Sequence, residues 1–280
     1  MISILISSLG TCEMVMPLAA RWLISNYGWR NSYLIIGIAV FLIIITASFF
    51  IKRDPGIIGE IPYGGSAEKQ VNLKIQASGL SLSESLRTRT FWVFVIIMLC
   101  YFFSQSSIAT HVVINATGLG FSRTSAANLL FISGALYIVS LNITGNLVDK
   151  IGKRTAIAIG FGLQSLALLG YMESQEIWML YACAVIFGFG RGAAMAPMPL
   201  LMADFFGLKS FGVIQGAIFA GAIIGTITGP IITGYIFDLF ESYYIAFLIC
   251  ALVTLLGLLL TFTLGQKSSF IPSKSYEKNP

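Results

Sequence analysis

The chain carries a few ionisable side chains inside long apolar stretches, where charge is costly and is therefore usually functional. Arg191 is one of them, and it is flanked by three glycines in Gly188-Phe189-Gly190-Arg191-Gly192. A guanidinium can hold a carboxylate through two parallel hydrogen bonds, and the glycines would leave room for a solute to approach. The alternative is an arginine satisfied by backbone carbonyls or by an acidic partner. The first interpretation predicts a binding site for an organic anion.

Two further titratable residues are candidates for carrying a proton. Glu13 lies in the middle of the first apolar stretch, where burial favours the neutral form of a carboxyl group. A hydrogen-bonded acid at a helix interface is the alternative for Glu13. His111, the single histidine, shares one helical face with Tyr101, Gln105 and Ile108. We expect this face to look into a cavity, with Tyr101 and Gln105 as solute contacts. A solvated histidine near the end of its stretch is the alternative for His111.

Chemical catalysis has no support in the sequence. It contains no nucleotide-binding loop, no paired-carboxylate pattern and no cluster of metal ligands, and its four cysteines have neither paired spacing nor a histidine companion. We therefore predict a protein that is not an enzyme, with no catalytic residue, no metal and no cofactor. The net charge of +5 comes from short connections between apolar stretches. It is typical of a membrane protein and argues against nucleic acid as a partner.

The composition requires the lipid bilayer as the surrounding solvent. Of the 280 residues, 56% are hydrophobic and only 10% are charged, whereas soluble domains carry about 25% charged residues. A membrane-spanning helix needs about 20 mostly apolar residues. Eight stretches meet this requirement and predict an all-α polytopic membrane protein: Ser3–Ser25, Asn31–Ile51, Phe91–Val113, Thr124–Leu147, Arg154–Met172, Ile177–Ala203, Phe211–Ile236 and Tyr243–Leu264.

Glycines recur along the seventh predicted span, several of them four residues apart: Gly212, Gly216, Gly221, Gly225, Gly229 and Gly234. Small residues at this interval allow membrane helices to approach closely. We expect this span to pack against a neighbour through its glycines.

The connections predict the organisation of the chain and its orientation. Residues 1–51 hold the first two spans, 52–90 form a polar linker rich in Gly and Ser, 91–265 hold six spans, and 266–280 form a polar tail. Thirteen of the seventeen basic residues fall in the linker, in the tail and in two other connections on the same side. The positive-inside rule therefore places both termini and the linker in the cytoplasm.

The connection after the fourth span carries a recognisable motif, Gly145-Asn146-Leu147-Val148-Asp149-Lys150-Ile151-Gly152-Lys153-Arg154. It resembles the cytoplasmic signature of the major facilitator superfamily, Gly-x-Leu-x-Asp-Arg/Lys-x-Gly-Arg/Lys-Arg/Lys. In that family the signature joins the second and third helices of each six-helix half. The same position results here if Phe91 opens a half, and the linker then matches the central cytoplasmic loop of the family.

Three shorter segments resemble the monocarboxylate and oxalate/formate porters of that superfamily: Pro17–Ala20 with Tyr27–Arg30, Ala203–Gly207, and Gly229–Pro230 with Gly234–Asp238. The resemblance covers essentially the whole chain. It implies the C-terminal six-helix bundle plus the last two helices of the N-terminal half, helices five to twelve of twelve. We therefore expect the missing N-terminal helices to belong to the same protein.

The resemblance also implies roles for particular residues. Arg191 falls on the family's tenth helix, which lines the central cavity. The signature residues Gly145, Asp149 and Lys150, continued by Gly152, Lys153 and Arg154, form a cytoplasmic gate. In the family the aspartate of the signature latches this side, and the contact of Asp149 would here be the start of the first span, near Met1–Ser3. Control of topology by the basic residues is the alternative for this loop.

The function expected from these residues and from the resemblance is secondary transport by alternating access. The solute would be a small organic anion, a monocarboxylate or a dicarboxylate, carried by a symporter or an antiporter in the plasma (inner) membrane. Coupling to H⁺ and exchange against a counter-anion are both open. One alternative is a transporter of the same fold for a neutral solute or a drug. The other is a truncated, non-transporting membrane protein that acts as a receptor or binds a partner.

Overall fold

The computed structural model of the protein describes residues 2–50 and 79–264, except for the side chains of residues 2–10, 13, 14, 17, 18 and 50. Most of the predicted linker and the whole predicted tail lie outside the described residues. The chain divides into two compact units, one comprising Val15–Ser78 and the other comprising Met1–Met14 with Gly79–Pro280. The described elements are helices. In addition, an isolated β-bridge pairs Gly79 with Gly207.

The N-terminal helix α1 runs over Ile2–Phe50 and changes backbone geometry at Gly28, whose φ of 73° and ψ of 162° are non-helical. Glycine adopts positive φ without the steric cost of a Cβ atom. The break falls between the predicted spans Ser3–Ser25 and Asn31–Ile51. Within α1, the segment Ala19–Phe49 is long and apolar enough to cross a membrane. Seven such helices are found in the described part of the chain, where the sequence predicted eight spans.

The second unit contains the remaining described helices. Caps fix the start of three of them, because the hydroxyls of Ser81, Thr88 and Ser122 accept hydrogen bonds from free amides of the first turn. These helices are α2 (Leu82–Leu86), α3 (Arg89–Gly118), α4 (Arg123–Ile151), α5 (Lys153–Glu173), α6 (Ile177–Met195), α7 (Met198–Phe206), α8 (Phe211–Phe240) and α9 (Tyr244–Thr263). The short helix α2 lies within the predicted linker.

The sixth predicted span, Ile177–Ala203, is not one continuous helix. It consists of α6 and α7, which meet at Ala196 and Pro197. Pro197 and Pro199 lack the amide hydrogens that would continue the helical ladder, so the helix is interrupted there. The two segments together still cover a candidate membrane span, Ile177–Phe206.

Close backbone contacts hold the helices of this unit together. Helix α3 packs along α8, α6 lies against both α4 and α5, and α9 packs on α5 and α3. Gly225 and Gly229 of α8 face the backbone of α3, where a Cβ atom would collide with Leu99 and Phe103. Among the described residues, no atom lies within 4 Å of a Cβ atom added to Gly212 or Gly216 of the same helix. The expected close packing is thus made by Gly225 and Gly229.

The buried side chains form two apolar clusters. One is built around Phe94, Phe161 and Phe206, and the other around Leu168 and Phe247. Serine hydroxyls tie helices together within the core, because Ser104 and Ser165 donate hydrogen bonds to carbonyls of α9. A buried hydroxyl with a partner avoids the cost of an unsatisfied polar group in lipid. This core fixes the helix faces that form the site.

Candidate functional site

A cavity of about 250 Å³ opens between the helices next to Arg191. The N-terminal segment contributes Cys12, and the other lining residues come from four helices of the same unit: Tyr101, Phe102 and Gln105 from α3, Tyr137 from α4, Arg191 and Met195 from α6, and Phe219 from α8. The structure thus brings together Tyr101, Gln105 and Arg191, the three residues expected to contact a solute. The volume of this cavity lies just below the range of about 300–1,000 Å³ that is typical of ligand pockets.

The guanidinium of Arg191 is held by aromatic rings. Arg191 is only 5% exposed, and its Cζ lies 4.8 Å from the ring centroid of Tyr137 and 6.0 Å from that of Phe187. The hydroxyl of Tyr101 donates a hydrogen bond of 3.3 Å to the backbone carbonyl of Arg191. A cation over an aromatic face is attracted by about 2 kcal/mol when it is desolvated. These contacts fix the cation at the wall of the cavity.

The glycines around Arg191 allow neighbouring helices to pack closely and leave no room for a solute, which contradicts the sequence-based expectation. A Cβ atom on Gly192 would lie 2.6 Å from the carbonyl oxygen of Tyr137, and one on Gly190 would lie 2.8 Å from that of Gly160. A Cβ atom on Gly188 would overlap the backbone of Ser133. Helix α6 is therefore wedged between α4 and α5, and the space beside each glycine is filled by a neighbouring backbone.

His111 does not line the Arg191 cavity, although the helical spacing placed it on the same face as Tyr101 and Gln105. It is 8% exposed, and its Nε2 lies 3.0 Å from the carbonyl oxygen of Pro230, while its Nδ1 lies 3.1 Å from the hydroxyl of Tyr243. A carbonyl can only accept, so Nε2 carries a hydrogen, and in the neutral imidazole Nδ1 then accepts from the tyrosine. His111 thus joins α3 to α8 and to the start of α9. The side chain of Glu13, the other candidate proton carrier, lies outside the described residues.

The signature loop surrounds a second cavity, of about 480 Å³, at the junction of α4 and α5. It is lined by Val148, Asp149, Gly152, Lys153, Arg154 and Thr155, and by Leu201, Asp204 and Phe205 of α7. Nζ of Lys153 lies 2.5 Å from Oδ2 of Asp204. The guanidinium of Arg154 lies 5.8 Å from the ring centroid of Phe205. Lys153 and Arg154 therefore contact the end of α7.

Gly152 makes the turn between the two helices of this loop. Its φ of 86° and ψ of 142° are accessible to glycine but strained for other residues. Its amide donates a hydrogen bond of 2.9 Å to the carbonyl of Val148, which completes the last turn of α4. Asp149 and Lys150 are exposed at the end of that turn. The contact expected between Asp149 and residues 1–3 lies outside the described residues.

A backbone anchor fixes the end of the linker to the end of α7. The amide of Leu80 donates a hydrogen bond of 2.9 Å to the carbonyl of Phe206, and a Cβ atom on Gly79 would lie 2.6 Å from the same oxygen. Ser81 and Glu84 then form a reciprocal cap on α2. The backbone amide of Ser81 first, and its hydroxyl second, lower the pKa of Glu84 below its ordinary value of 4.5.

Sequence reasoning missed several residues of both sites. Tyr137, Phe102 and Phe219 line the first cavity, and Asp204 pairs with a lysine of the signature. The three aromatic residues lie within predicted membrane spans, where an aromatic side chain by itself does not distinguish a cavity wall from a buried core. Asp204 is an isolated acid at the end of an apolar span, which was the one available signal. Within the described ranges, no three His, Cys, Asp or Glu side chains converge to hold a metal ion.

Comparison with known proteins identifies the family of this chain. The sequence model of the Major Facilitator Superfamily matches residues 1–174 and 94–275. The chain is therefore a member of the Major Facilitator Superfamily of membrane transporters, as the signature and the helix order predicted.

Individual relatives are distant. Monocarboxylate transporter 12 of Rattus norvegicus is 24% identical over 270 residues, which cover 88% of this chain and 55% of that protein. The Ascochitine biosynthesis cluster MFS transporter of Didymella fabae is 26% identical over 147 residues, which cover 52% of this chain and 28% of that protein. The chain spans about half the length of the curated relatives it matches, or less.

Solved structures show the same fold. The transporter FucP in the outward conformation is 19% identical, with a TM-score of 0.58, and the match covers 87% of this chain and 57% of that chain. A peptide transporter POT in complex with sulfate is 18% identical, with a TM-score of 0.59, over 74% of this chain and 44% of that chain.

Proposed function

We propose that the protein carries a small organic anion, a monocarboxylate or a dicarboxylate, across the membrane by alternating access, with Arg191 as the anion contact. The observation that supports this proposal is the buried guanidinium at the wall of the 250 Å³ cavity. A charge inside the membrane is costly, and a bound carboxylate would offset that cost through charge-assisted hydrogen bonds. Monocarboxylate transporter 12, a distant relative, carries a name consistent with this class of solute.

The aromatic cage around Arg191 also orients the guanidinium. Tyr137 and Phe187 contact the cation through their ring faces. Gln105 lines the same cavity, and its amide group can donate a hydrogen bond to a carboxylate oxygen. A planar carboxylate matches the fork of the guanidinium better than a neutral group does.

The signature loop acts, in this proposal, as the gate on the cytoplasmic side. The salt bridge between Lys153 and Asp204 supports this role. It connects the start of α5 to the end of α7, which follows directly on α6, the helix of Arg191. Both termini and the linker would then lie in the cytoplasm, in agreement with the distribution of basic residues.

The proposal is tested by replacing Arg191 with lysine, which keeps the charge but loses the bidentate fork. Hydrogen bonds to charged groups contribute about 1.5–3 kcal/mol. The full-length protein should therefore bind pyruvate, lactate or succinate about tenfold to a hundredfold more weakly after Arg191→Lys, as measured by calorimetry, and uptake into liposomes should fall in parallel. Arg123→Lys, at the exposed start of α4, is the matched control and should change neither quantity.

Unchanged affinity and uptake in the Arg191→Lys variant would contradict the role of this residue. If neutral solutes compete and carboxylates do not, the protein is a transporter of another solute class. Carboxylate binding without any flux would favour a receptor. Uptake measured with and without an imposed pH gradient separates proton coupling from exchange against a counter-anion.

A further inference from the structure

Aromatic rings make up half of the lining of the Arg191 cavity. The only charged side chain among the lining residues is Arg191, and Met195 contributes a polarizable thioether, which packs favourably against aromatic rings. The four residues that carry rings are Tyr101, Phe102, Tyr137 and Phe219. This wall therefore offers one cation for a single carboxylate and an aromatic surface for the rest of the solute.

The contacts of the four rings divide them into two pairs. Tyr137 lies over the guanidinium of Arg191, with 4.8 Å between Cζ and the ring centroid, and the hydroxyl of Tyr101 donates to the backbone carbonyl of Arg191. These two tyrosines are buried and hold the cation in place. Phe102 and Phe219 are only partly buried and carry no polar group. They are the rings that a solute can contact without displacing the groups that hold the cation.

Phe102 takes part in two edge-to-face contacts along this wall. Its ring centroid lies 5.2 Å from that of Tyr101, with an interplanar angle of 83°, and 5.8 Å from that of Phe219, with an angle of 65°. Aromatic rings favour this arrangement because the positive edge of one ring meets the negative face of its neighbour. An aromatic ring of the solute can make the same kind of contact, whereas a saturated ring has no such quadrupole.

The volume of the cavity also favours a flat solute. At about 250 Å³ it is small, and an aromatic ring is thinner than a saturated ring with the same number of carbon atoms. Aromatic pairs in favourable geometry strengthen binding by about twofold to tenfold beyond the effect of the area that they bury.

We propose that the solute is an aromatic carboxylate, whose carboxylate is held by Arg191 while its ring packs against Phe102 and Phe219. This inference rests on the proposed function and specifies its solute class. The combination of a single buried cation with a wall of aromatic rings carries it.

The test compares benzoate with cyclohexanecarboxylate, which has the same number of carbon atoms and the same single charge. In the full-length protein, calorimetry should give an affinity for benzoate that is about twofold to tenfold higher. Phe219→Leu keeps apolar bulk but removes a ring, so the ratio of the two affinities should fall towards one. Arg191→Lys should weaken the binding of both acids by a similar factor and leave their ratio intact.

Phe240→Leu is the matched control, because Phe240 belongs to the same helix as Phe219 but is 56% exposed and lies outside the cavity. It should change neither affinity. Thermal melting checks that each variant is folded, and Phe102→Leu replaces Phe219→Leu if the latter is not.

Three results would contradict these expectations. Equal affinities for the two ring acids in the unmodified protein would overturn this inference and leave the proposed function in place. A preference for benzoate that persists in both Phe219→Leu and Phe102→Leu would also overturn it, because the ring would then bind elsewhere. Binding of neither the ring acids nor pyruvate, lactate or succinate would refute the proposed function itself.

Discussion

The contact between α4 and α6 leads to a quantitative prediction for Gly192→Ala. In the structure, a Cβ atom at this position would lie 2.6 Å from Cβ of Ser140, 2.6 Å from the carbonyl oxygen of Tyr137 and 2.8 Å from the amide nitrogen of Leu141. None of these three atoms can move by a change of rotamer, because two belong to the backbone and the position of a Cβ atom is fixed by the backbone. Ordinary van der Waals contact begins at 3.4 Å, so the two helices must separate by about 0.8 Å.

The cost of this separation follows from the packing of the core. Overpacking in a well-packed interior costs about 1–3 kcal/mol, and for a unit of this size 1 kcal/mol corresponds to about 2–4 °C in melting temperature. Gly192→Ala should therefore lower the melting temperature by about 2–12 °C. Because Tyr137 also holds the guanidinium of Arg191, the same displacement should weaken carboxylate binding.

Thermal melting of the purified protein in detergent measures the effect, and Gly212→Ala is the control. Gly212 is also helical, but in the described part of the chain no atom lies within 4 Å of an added Cβ. Its replacement should leave stability unchanged or raise it by about 0.4–1 kcal/mol, since alanine reduces the entropy of the unfolded chain. If Gly192→Ala melts at or above the temperature of Gly212→Ala, then the close packing of α6 on α4 is not present in the protein.

Two further predictions concern the loops next to the membrane helices. Gly152→Ala should destabilise the protein by about 1–3 kcal/mol in denaturant unfolding, because the backbone at Gly152 has a φ of 86°. Glu84→Ala should increase hydrogen exchange of the α2 amides at neutral pH, because it removes the acceptor of two hydrogen bonds from Ser81. In the unmodified protein the same loss of protection should develop as the pH falls from 4.5 through the lowered native pKa of Glu84. Protonation of the carboxylate over this range removes the acceptor for Ser81.

Matched variants control both experiments. Gly162→Ala, inside α5 with open space around it, should not reproduce the loss caused by Gly152→Ala, and equal effects would contradict the argument from φ. Glu84→Gln keeps an acceptor for the cap, so its protection should remain and should lose the dependence on pH. Persistent acid sensitivity in this variant would assign the effect to another group.

The membrane spans and the signature were predictable because their signals are strong and local. Twenty consecutive apolar residues define a span regardless of its neighbours, and Phe91–Val113, for example, falls within α3. The signature from Gly145 to Arg154 combines residue type with spacing. A glycine occupies position 152 because the backbone there has a positive φ. The membership of the superfamily followed from these two signals.

The remainder of the site depends on contacts between distant parts of the chain. Membrane helices tolerate proline, so Pro197 gave no clear sign that α6 ends at Met195. Tyr137 lies 54 positions before Arg191, and only the packing of α4 on α6 places its ring at the guanidinium. His111 was assigned to the helical face of Tyr101 and Gln105, but six residues of helix turn it about 240° from Gln105. Its partners lie on α8 and at the start of α9. Phase along one helix cannot distinguish a cavity from a neighbouring helix.

The anchor between the linker and α7 has a consequence for the divergence of this protein. Its hydrogen bond joins the amide of Leu80 to the carbonyl of Phe206, so every residue except proline can occupy position 80 and still donate. The backbone geometry of this anchor depends on Gly79, whose missing Cβ permits the close approach, and on Gly207, whose φ is 73°. We therefore expect homologous sequences that keep this attachment to retain both glycines.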